Sequence, residues 1–587
     1  MEANKEQQSI IEYYTKNHSE KRILLVEAPP GTGKTFTAVA TAIEYTKKQL
    51  EINTKYNKKV LILTFSKNAR AQIEKQLEQF SDNNINFQKF IEISNFHSFF
   101  QKYVWAYSKY LGLKEDLNIL SPKQRKFMLS NEFIKIQAYD GDDKQYEWAE
   151  SLLEGEFYPL TYKGNIKPSI KKLIPYKEEL KDIIKNINKD GYIGFSDIGY
   201  YMNELLNKSE LLLKTIQNKY NLIILDEYQD ASDLQDKIVK KLIGKQNKAI
   251  FFADSKQMIY GWRGADSNRL LDLLKYYDLE IEQKSLKKSM RFKNHKDIEN
   301  VLNLAREGKY NIYDFNSSSN IKYIKVEVND KNLYSRQSKN QMYAALKYKI
   351  KNALPKYEDI QGKSVGILCR SNELVRYIKK SLREEFKITT YELNNNEEEH
   401  NIMGDLVKFF SKTDLNIDEL TREMLKYIFA VIYDEKIGSI KKNKLNTIMY
   451  NNLKRARTPI LKEFANLIEQ AENTKEYKET LIKCIEIVKD NDLKVNYDMY
   501  SLLKRVLLCS SNKADNINNL FLQHQYLKAY KELKGIYVLN VHQSKGREFD
   551  YTYVIDRENI IKEDNLLYVA LSRVKDKLVI FDWIMKK

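Results

Sequence analysis

Cysteine is scarce in this chain. There are three, Cys369, Cys484 and Cys509, spread over 587 residues. No Cys-x-x-Cys pair or Cys/His ligand spacing occurs, which argues against a zinc module and a disulfide framework. No apolar run is long enough to span a bilayer, and the opening MEANKEQQSI is polar, without the apolar segment of a signal peptide. The chain is therefore expected in the reducing cytoplasm, away from membranes. Repeats at solenoid periods and nuclease motifs are also missing. Tryptophan is rare, four in all, yet Trp262 stands in the polar stretch SKQMIYGWRGAD (255–266), close to Tyr260 and Arg263. Such a ring either props a core or offers a flat face to a flat ligand, such as a base.

Positive charge, by contrast, is plentiful. Lys and Arg total 98 against 80 Asp and Glu, a net charge of +18. That suits a polyanionic partner and says nothing about fold. At 42% hydrophobic the composition is ample for packed cores. The length exceeds what one core fills, so about three or four domains are expected.

KRILLVEAPPGTGKTFTAVATAIEY (21–45) reads as strand, glycine-bearing loop, helix, and KKVLILTFSKNARAQIEKQLEQF (58–80) repeats strand then helix. KYNLIILDEYQD (219–230) and NKAIFFADSKQ (247–257) are short apolar runs ending in acids. Short buried strands alternating with helices indicate a parallel α/β sheet. Apolar strand signals return at 363–382, 536–555 and 576–584, which reads as a second α/β domain. Residues 101–215 and 396–530 carry helical spacing and are too long for loops. The fold class is thus α/β, with two domains that each carry a mainly helical insertion. The boundaries expected are 1–100 with 216–283, insertion 101–215, then 284–395 with 531–587, insertion 396–530.

APPGTGKT (28–35) matches a phosphate-binding P-loop except that Ala28 replaces the first glycine. Gly31, Thr32 and Gly33 would let backbone N–H groups curl around phosphate. Lys34 would reach the β- and γ-phosphates, and the Thr35 hydroxyl would bind Mg²⁺. The following helix points its positive end at the anion. In LIILDEYQD, Asp226 and Glu227 emerge at the carboxyl end of a strand, where α/β ligands bind. Asp226 is the expected Mg²⁺ ligand, and Glu227 the base that orients and deprotonates water.

Ordered blocks along the chain resemble the UvrD/Rep/PcrA-type DNA helicases of superfamily 1A. NKEQ (4–7) resembles the Q-motif, VLILTFSKNARAQI (60–73) motif Ia and SNFHSFF (94–100) motif Ib. LDEYQDAS resembles motif II, ADSKQMIYGWRGAD motif III and LKKSMRF (286–292) motif IV. VLNVHQSKGREFDYTYVI (538–555) resembles motif V and LLYVALSRVKDKLVIF (566–581) motif VI. The resemblance implies two RecA-like P-loop domains, ATP and Mg²⁺ as cofactors, and single-stranded DNA or single/double-strand junctions as partner. It implies that Gln7 reads adenine and that Gln257 senses the γ-phosphate. Arg291 and Arg573 would reach that phosphate across the cleft, Gln229 would couple nucleotide state to closure, and Gly546 and Glu548 would complete the nucleotide site, with Glu548 on the ribose. Tyr260 and Trp262 would stack on bases, Arg263 would contact the strand or the domain interface, and Phe65, Phe96, His97, Asn540 and His542 would line the same track.

The chain departs from the family's pattern in four places. Met290 stands where the family has an adenine-stacking Tyr, and Phe36 where it has Arg, so one aromatic has replaced another beside the base. Asn540 replaces a Thr in motif V. The chain stops at Lys587, fourteen residues after Arg573, whereas the family's duplex-splitting hairpin lies beyond motif VI. Translocation is accordingly expected more than strong autonomous unwinding. The leading expectation is an ATP-driven single-stranded DNA translocase and helicase, 3′ to 5′ by resemblance, in repair or anti-phage defence. The alternative is an ATP-gated DNA-end sensor or scaffold that controls a partner nuclease.

Overall fold

The computed structural model describes residues 3–585 except 16–20, 53–57, 66, 81–84, 121, 156–165, 260–267, 310–317, 329–335, 355–361, 386–389, 392–401, 404, 407–408, 411–414, 433, 435, 492, 494, 510–534 and 564. Two compact units form, Met1–Leu393 with Glu532–Lys587, and Asn394–Lys531.

The larger unit holds two six-stranded sheets. In the first, β1 (Ile23–Glu27), β2 (Lys59–Thr64), β3 (Ile91–Asn95), β4 (Tyr220–Leu225), β5 (Lys248–Ala253) and β6 (Ile281–Ser285) lie in the order β3-β2-β4-β5-β1-β6. All neighbours are parallel. A parallel sheet covered on both faces needs apolar side chains on both, hence the unbroken runs ILLV and LIIL. Along β1, Ile23 and Leu25 face one core with Phe99, Phe100 and Phe251. Leu24 and Val26 face the other, with Ile10, Val39 and Phe252. Strand β6 carries the first sheet to Ser285, past the boundary expected at 283.

The second sheet comprises β7 (Ile321–Val328), β8 (Ser364–Cys369), β9 (Thr390–Tyr391), β10 (Gly535–Asn540), β11 (Phe549–Val554) and β12 (Val574–Met585). Its order is β9-β10-β8-β11-β12-β7, again all parallel. Ile367 and Val538 point into one core layer, while Leu368 and Leu539 point into the other.

Five helices matter for the first sheet's site: α1 (Lys5–Ile11), α2 (Lys34–Ile52), α3 (Lys67–Gln79), α4 (Phe96–Ala106) and α5 (Phe195–Lys208). Helix α5 packs on α4 through Ile198, Met202 and Leu205 against Phe99 and Phe100. Between these two helices the chain builds a small core of its own from Leu129, Phe133, Trp148, Leu180 and Ile184. Three more helices, α6 (Lys296–Arg306), α7 (Val541–Ser544) and α8 (Leu566–Leu571), pack on the second sheet.

The smaller unit is helical, with helices Ile417–Ala430, Pro459–Thr474, Tyr477–Asp490 and Tyr497–Cys509. They close on a core that includes Met424, Phe464, Leu481 and Leu503. Among the described residues no helix is long and apolar enough to cross a membrane.

Candidate nucleotide site and nucleic-acid track

Parallel strands deliver their carboxyl ends to one edge, so the loops after β1, β4 and β5 meet there. The loop after β1 turns through left-handed glycines, Gly31 at φ +78° and Gly33 at φ +83°. The left-handed φ of Gly33 strains any side chain, and a Cβ there would also displace the end of the Gln7 amide. Lys34 then opens α2. The Lys34 ammonium is bonded to Glu227 and lies 3.4 Å from Asp226 Oδ1.

Glu227 sits in left-handed backbone, φ +57°, ψ +36°, a strained conformation for a side chain of its kind. Gln229 Nε2 donates to Glu227 Oε2 at 2.6 Å, and Gln229 Oε1 accepts from the backbone N of Asp254 at 3.1 Å. Burial opposes the charge on Glu227, but Lys34, Lys545 and the bond from Gln229 outweigh it and hold the carboxyl at about 2. Asp226 goes the other way: burial, with the neighbouring Glu227 charge, raises it against the pull of Lys34.

Asp226 is the carboxylate expected to hold a divalent cation. It is 2% exposed, and its Oδ1 makes no hydrogen bond. Its counter-charge here is the Lys34 ammonium, 3.4 Å from that oxygen, and a divalent cation would take over that role when Lys34 turns to phosphate. Thr35 follows Lys34 on the first turn of α2, partly exposed.

Side chains attached to the second sheet enter the same edge. Arg573, 5% exposed, donates from Nη2 to Gln257 Oε1 at 2.8 Å. Its burial and the nearby Arg291 both lower its pKa. Arg291 holds Glu548 and donates to the Ser572 carbonyl at 2.8 Å, while the backbone N of Met290 donates to the Gly31 carbonyl at 2.7 Å. Lys545, just after α7, donates to Asp230 Oδ1 at 2.7 Å and to the Gln257 carbonyl at 2.6 Å. Every cation expected to meet phosphate is thus held here by a partner inside the chain.

Gln7, expected to read adenine, is 2% exposed, and its amide is engaged internally. Its Oε1 accepts from the backbone N of Asn4 at 2.9 Å, closing a capping box on α1, and its Nε2 donates to the Thr32 carbonyl at 3.0 Å. Glu548, expected on the ribose, is paired with Arg291. Phe36 leans on Phe80 with ring centroids 5.7 Å apart, and Met290 Sδ accepts from Asn4 Nδ2 at 3.5 Å. Gly546 offers its carbonyl to Gln72 Nε2 at 3.3 Å.

A second cluster lies where β2 and β3 end. Phe65 is half-buried and meets Phe96 at 4.7 Å between ring centroids. Phe96 itself is 1% exposed and belongs to the sheet core. This corrects the expectation that Phe96 lines the track: it opens α4 with its ring turned inward and supports Phe65 from below. His97, one residue on, is partly exposed and meets Phe195 edge-on at 6.2 Å. Phe195 is 42% exposed at the start of α5. Nothing in the sequence marks it out, because a lone Phe in a helical insertion looks like core.

The turn that presents Phe195 is fastened by a buried ion pair between Arg125 and Asp197. Asp197 also accepts from the Gly194 backbone N at 3.0 Å, and Arg125 donates to Asn188 Oδ1 at 3.1 Å.

The UvrD/REP helicase N-terminal domain profile matches residues 3–278, and the UvrD-like helicase C-terminal domain profile matches residues 535–581. The chain belongs to the UvrD/REP helicase family. A probable DNA helicase II homolog from Mycoplasma pneumoniae is 24% identical over 95% of this chain and 81% of its own length. The corresponding protein of Mycoplasma capricolum is 23% identical over 94% of this chain and 81% of its own. An ATP-dependent DNA helicase PcrA from Staphylococcus aureus is 26% identical over 48% of this chain and 37% of its own.

For this UvrD-like ATP-dependent DNA helicase, the two matched segments cover the loops after β1, β4 and β5 together with Lys545, Glu548 and Arg573, while Met290 and Arg291 lie between them. Tyr260, Trp262 and Arg263 lie outside the described residues. Of the second-sheet track residues, Asn540 caps α7 through Gln543 N at 2.8 Å and donates to Asn372 Oδ1 at 2.6 Å. His542 lies on the same short helix, 4.0 Å from Glu563 Oε2.

Proposed function

We propose that this UvrD/REP-family helicase is an ATP-driven translocase on single-stranded DNA, moving 3′ to 5′, with a cytoplasmic role in repair or anti-phage defence. The observation that carries the reading is the Arg573–Gln257 contact, because it puts a cation from the second sheet beside the acids of the first. Phosphoryl transfer needs positive charge at the γ-phosphate and a placed water, and little else from protein.

In this reading nucleotide gives Lys34 a stronger anionic partner than Asp226 and Glu227. Lys34 turns to the β- and γ-phosphates, and Glu227 is left to accept a proton from water. Arg291 leaves Glu548, and Arg573 and Gln257 close on the same phosphate. Asp226 and Thr35 would hold Mg²⁺, which neutralises phosphate charge when bound. Closure and opening of the two sheets carry the track past the strand. Phe65, His97 and Phe195 grip it from the first sheet and Asn540 and His542 from the second, while Tyr260 and Trp262 stack on bases and Arg263 contacts the strand, as the resemblance implies. Stacking at about 1–3 kcal/mol per base is strong enough to hold and weak enough to release.

The test is ATP turnover with and without single-stranded DNA. Stimulation by a bare single strand supports the motor. Turnover that stays basal with DNA, and rises only with an added nuclease partner, would favour a sensor instead.

A further inference from the structure

Asp254, at the end of β5, is fully buried. Its Oδ2 accepts from Gln257 Nε2 at 3.0 Å and from the Tyr568 hydroxyl at 3.2 Å. Its Oδ1 accepts from the backbone N of Lys256 at 3.2 Å and lies 3.4 Å from Arg306 Nη1. Through its backbone it also touches the base, since its N donates to Gln229, which holds Glu227. Asp254 is therefore the junction between Glu227 and Arg573, the two ends of the hydrolytic machinery.

Arg306 belongs to no recognised motif. It ends α6, whose Ile298, Val301, Leu302 and Ala305 are packed into the second sheet's core. From there it spans to the first sheet, bonding Glu27 at the end of β1 and donating to the Tyr568 hydroxyl at 3.4 Å. As an ion pair with half-exposed Glu27 alone it would matter little. Its contact with Asp254 differs, because a carboxylate out of water needs both hydrogen bonds and a counter-charge. Burial alone pushes the Asp254 carboxyl up, and Arg306 is the nearest cation holding it down.

We propose that Arg306, with Tyr568 beside it, is a positioning residue for ATP hydrolysis, acting through Asp254 to fix the Gln257 amide that receives Arg573. Without Arg306 the buried carboxylate either takes up a proton or shifts toward another donor. In both cases the bond from Gln257 Nε2 is weakened or lost, the amide is freer to rotate, and Arg573 is seated less firmly. Nucleotide binding, which uses the P-loop and Lys34, is left intact.

This inference rests on the hydrolytic roles proposed for Gln257 and Arg573. Its test is a double-mutant cycle of Arg306→Ala and Gln257→Ala, read by DNA-stimulated ATPase. Arg306→Ala should lower kcat about tenfold with KM for ATP changed less than about threefold, and Arg306→Lys should recover most of the loss. In the Gln257→Ala background the same change should cost less than about threefold, because the target is already gone. Tyr568→Phe removes one hydroxyl and should give a smaller loss of the same kind, which keeps a measurable variant if Arg306→Ala folds poorly. Wild-type kcat in Arg306→Ala and Tyr568→Phe, or a full loss repeated on top of Gln257→Ala, overturns the proposal while the ATP-site reading stands. Wild-type kcat in Gln257→Ala overturns both.

Discussion

Lys545 Nζ lies 2.7 Å from Asp230 Oδ1 and 2.6 Å from the Gln257 carbonyl, so one side chain after α7 fastens the loops that follow β4 and β5. Helix α7 carries His542 and is capped by Asn540, both proposed for the DNA track. Lys545 also lowers the Glu227 carboxyl. A single ammonium thus ties the proposed DNA side of the second sheet to the proposed hydrolytic side of the first.

That tie should be sensitive to pH. Burial raises Asp230 from its ordinary 3.8 to about 6, against the pull of Lys545. Below about 6 Asp230 takes up a proton and loosens its hold on Lys545. DNA-stimulated kcat should therefore fall as pH drops through that value, and Asp230→Asn should flatten the acid limb. For folding the sign is opposite. Protonated Asp230 favours the folded state fully below 3.8, and this contribution is lost as pH rises through about 6. A kcat profile of Asp230→Asn that keeps the wild-type acid limb would contradict the assignment.

Lys34→Ala and Glu227→Gln should both abolish turnover, by different routes. In the proposed reaction Lys34 supplies charge to phosphate, so its loss should weaken nucleotide binding. In the same proposed reaction Glu227 acts on water, so Glu227→Gln should still bind ATP and accumulate a DNA-gripping state. Equilibrium nucleotide binding beside single-turnover hydrolysis separates the two, and wild-type hydrolysis by Glu227→Gln would remove it as the base.

The candidate nucleotide site was legible because its signals are local. Lys34 and Glu227 each follow an apolar run that ends in a loop, and parallel strands bring such loops to one edge. The second sheet's strands β8, β10, β11 and β12 were readable for the same reason. Strand β6, with the sequence IEQKS, sits at a sheet edge with no buried residue and gives no apolar run. The contacts of Lys545 with Asp230 and of Arg306 with Asp254 join residues far apart in sequence, which no spacing reveals. Phe96 and His97 show a third limit. Adjacent residues on one helix point about 100° apart, so Phe96 is buried while His97 is partly exposed, and composition does not say which turns inward.

Trp262→Ala and Arg573→Ala should dissociate DNA grip from hydrolysis. Removing a stacking ring should weaken single-strand affinity by about 1–3 kcal/mol, or roughly five- to 150-fold, with basal ATPase near wild type. The slope of log affinity against log salt should barely change, because no phosphate contact is lost. Arg573→Ala should bind DNA nearly normally and hydrolyse little ATP with or without it. Unchanged affinity per folded molecule in Trp262→Ala would end the stacking assignment.

Phe96, Phe65 and Phe195 make the sharpest comparison, because the same substitution should act in different ways. Phe96 is 1% exposed in the first sheet's core, so Phe96→Ala should cost about 3–5 kcal/mol of stability through lost burial and the cavity left behind. Phe195 is 42% exposed and covers no core, so Phe195→Ala should leave the melting temperature within a degree or two of wild type, a shift of about 0.5 kcal/mol or less. Its single-strand affinity should nonetheless fall by about 1–3 kcal/mol. Phe65, half-buried against Phe96, should show a part of each effect. Thermal melting and equilibrium DNA binding on the three variants decide the matter. A stable Phe195→Ala protein with wild-type affinity would take Phe195 off the track. Weakened DNA binding by Phe96→Ala, measured per folded molecule, would show that the ring beneath Phe65 is needed to hold that ring toward the strand.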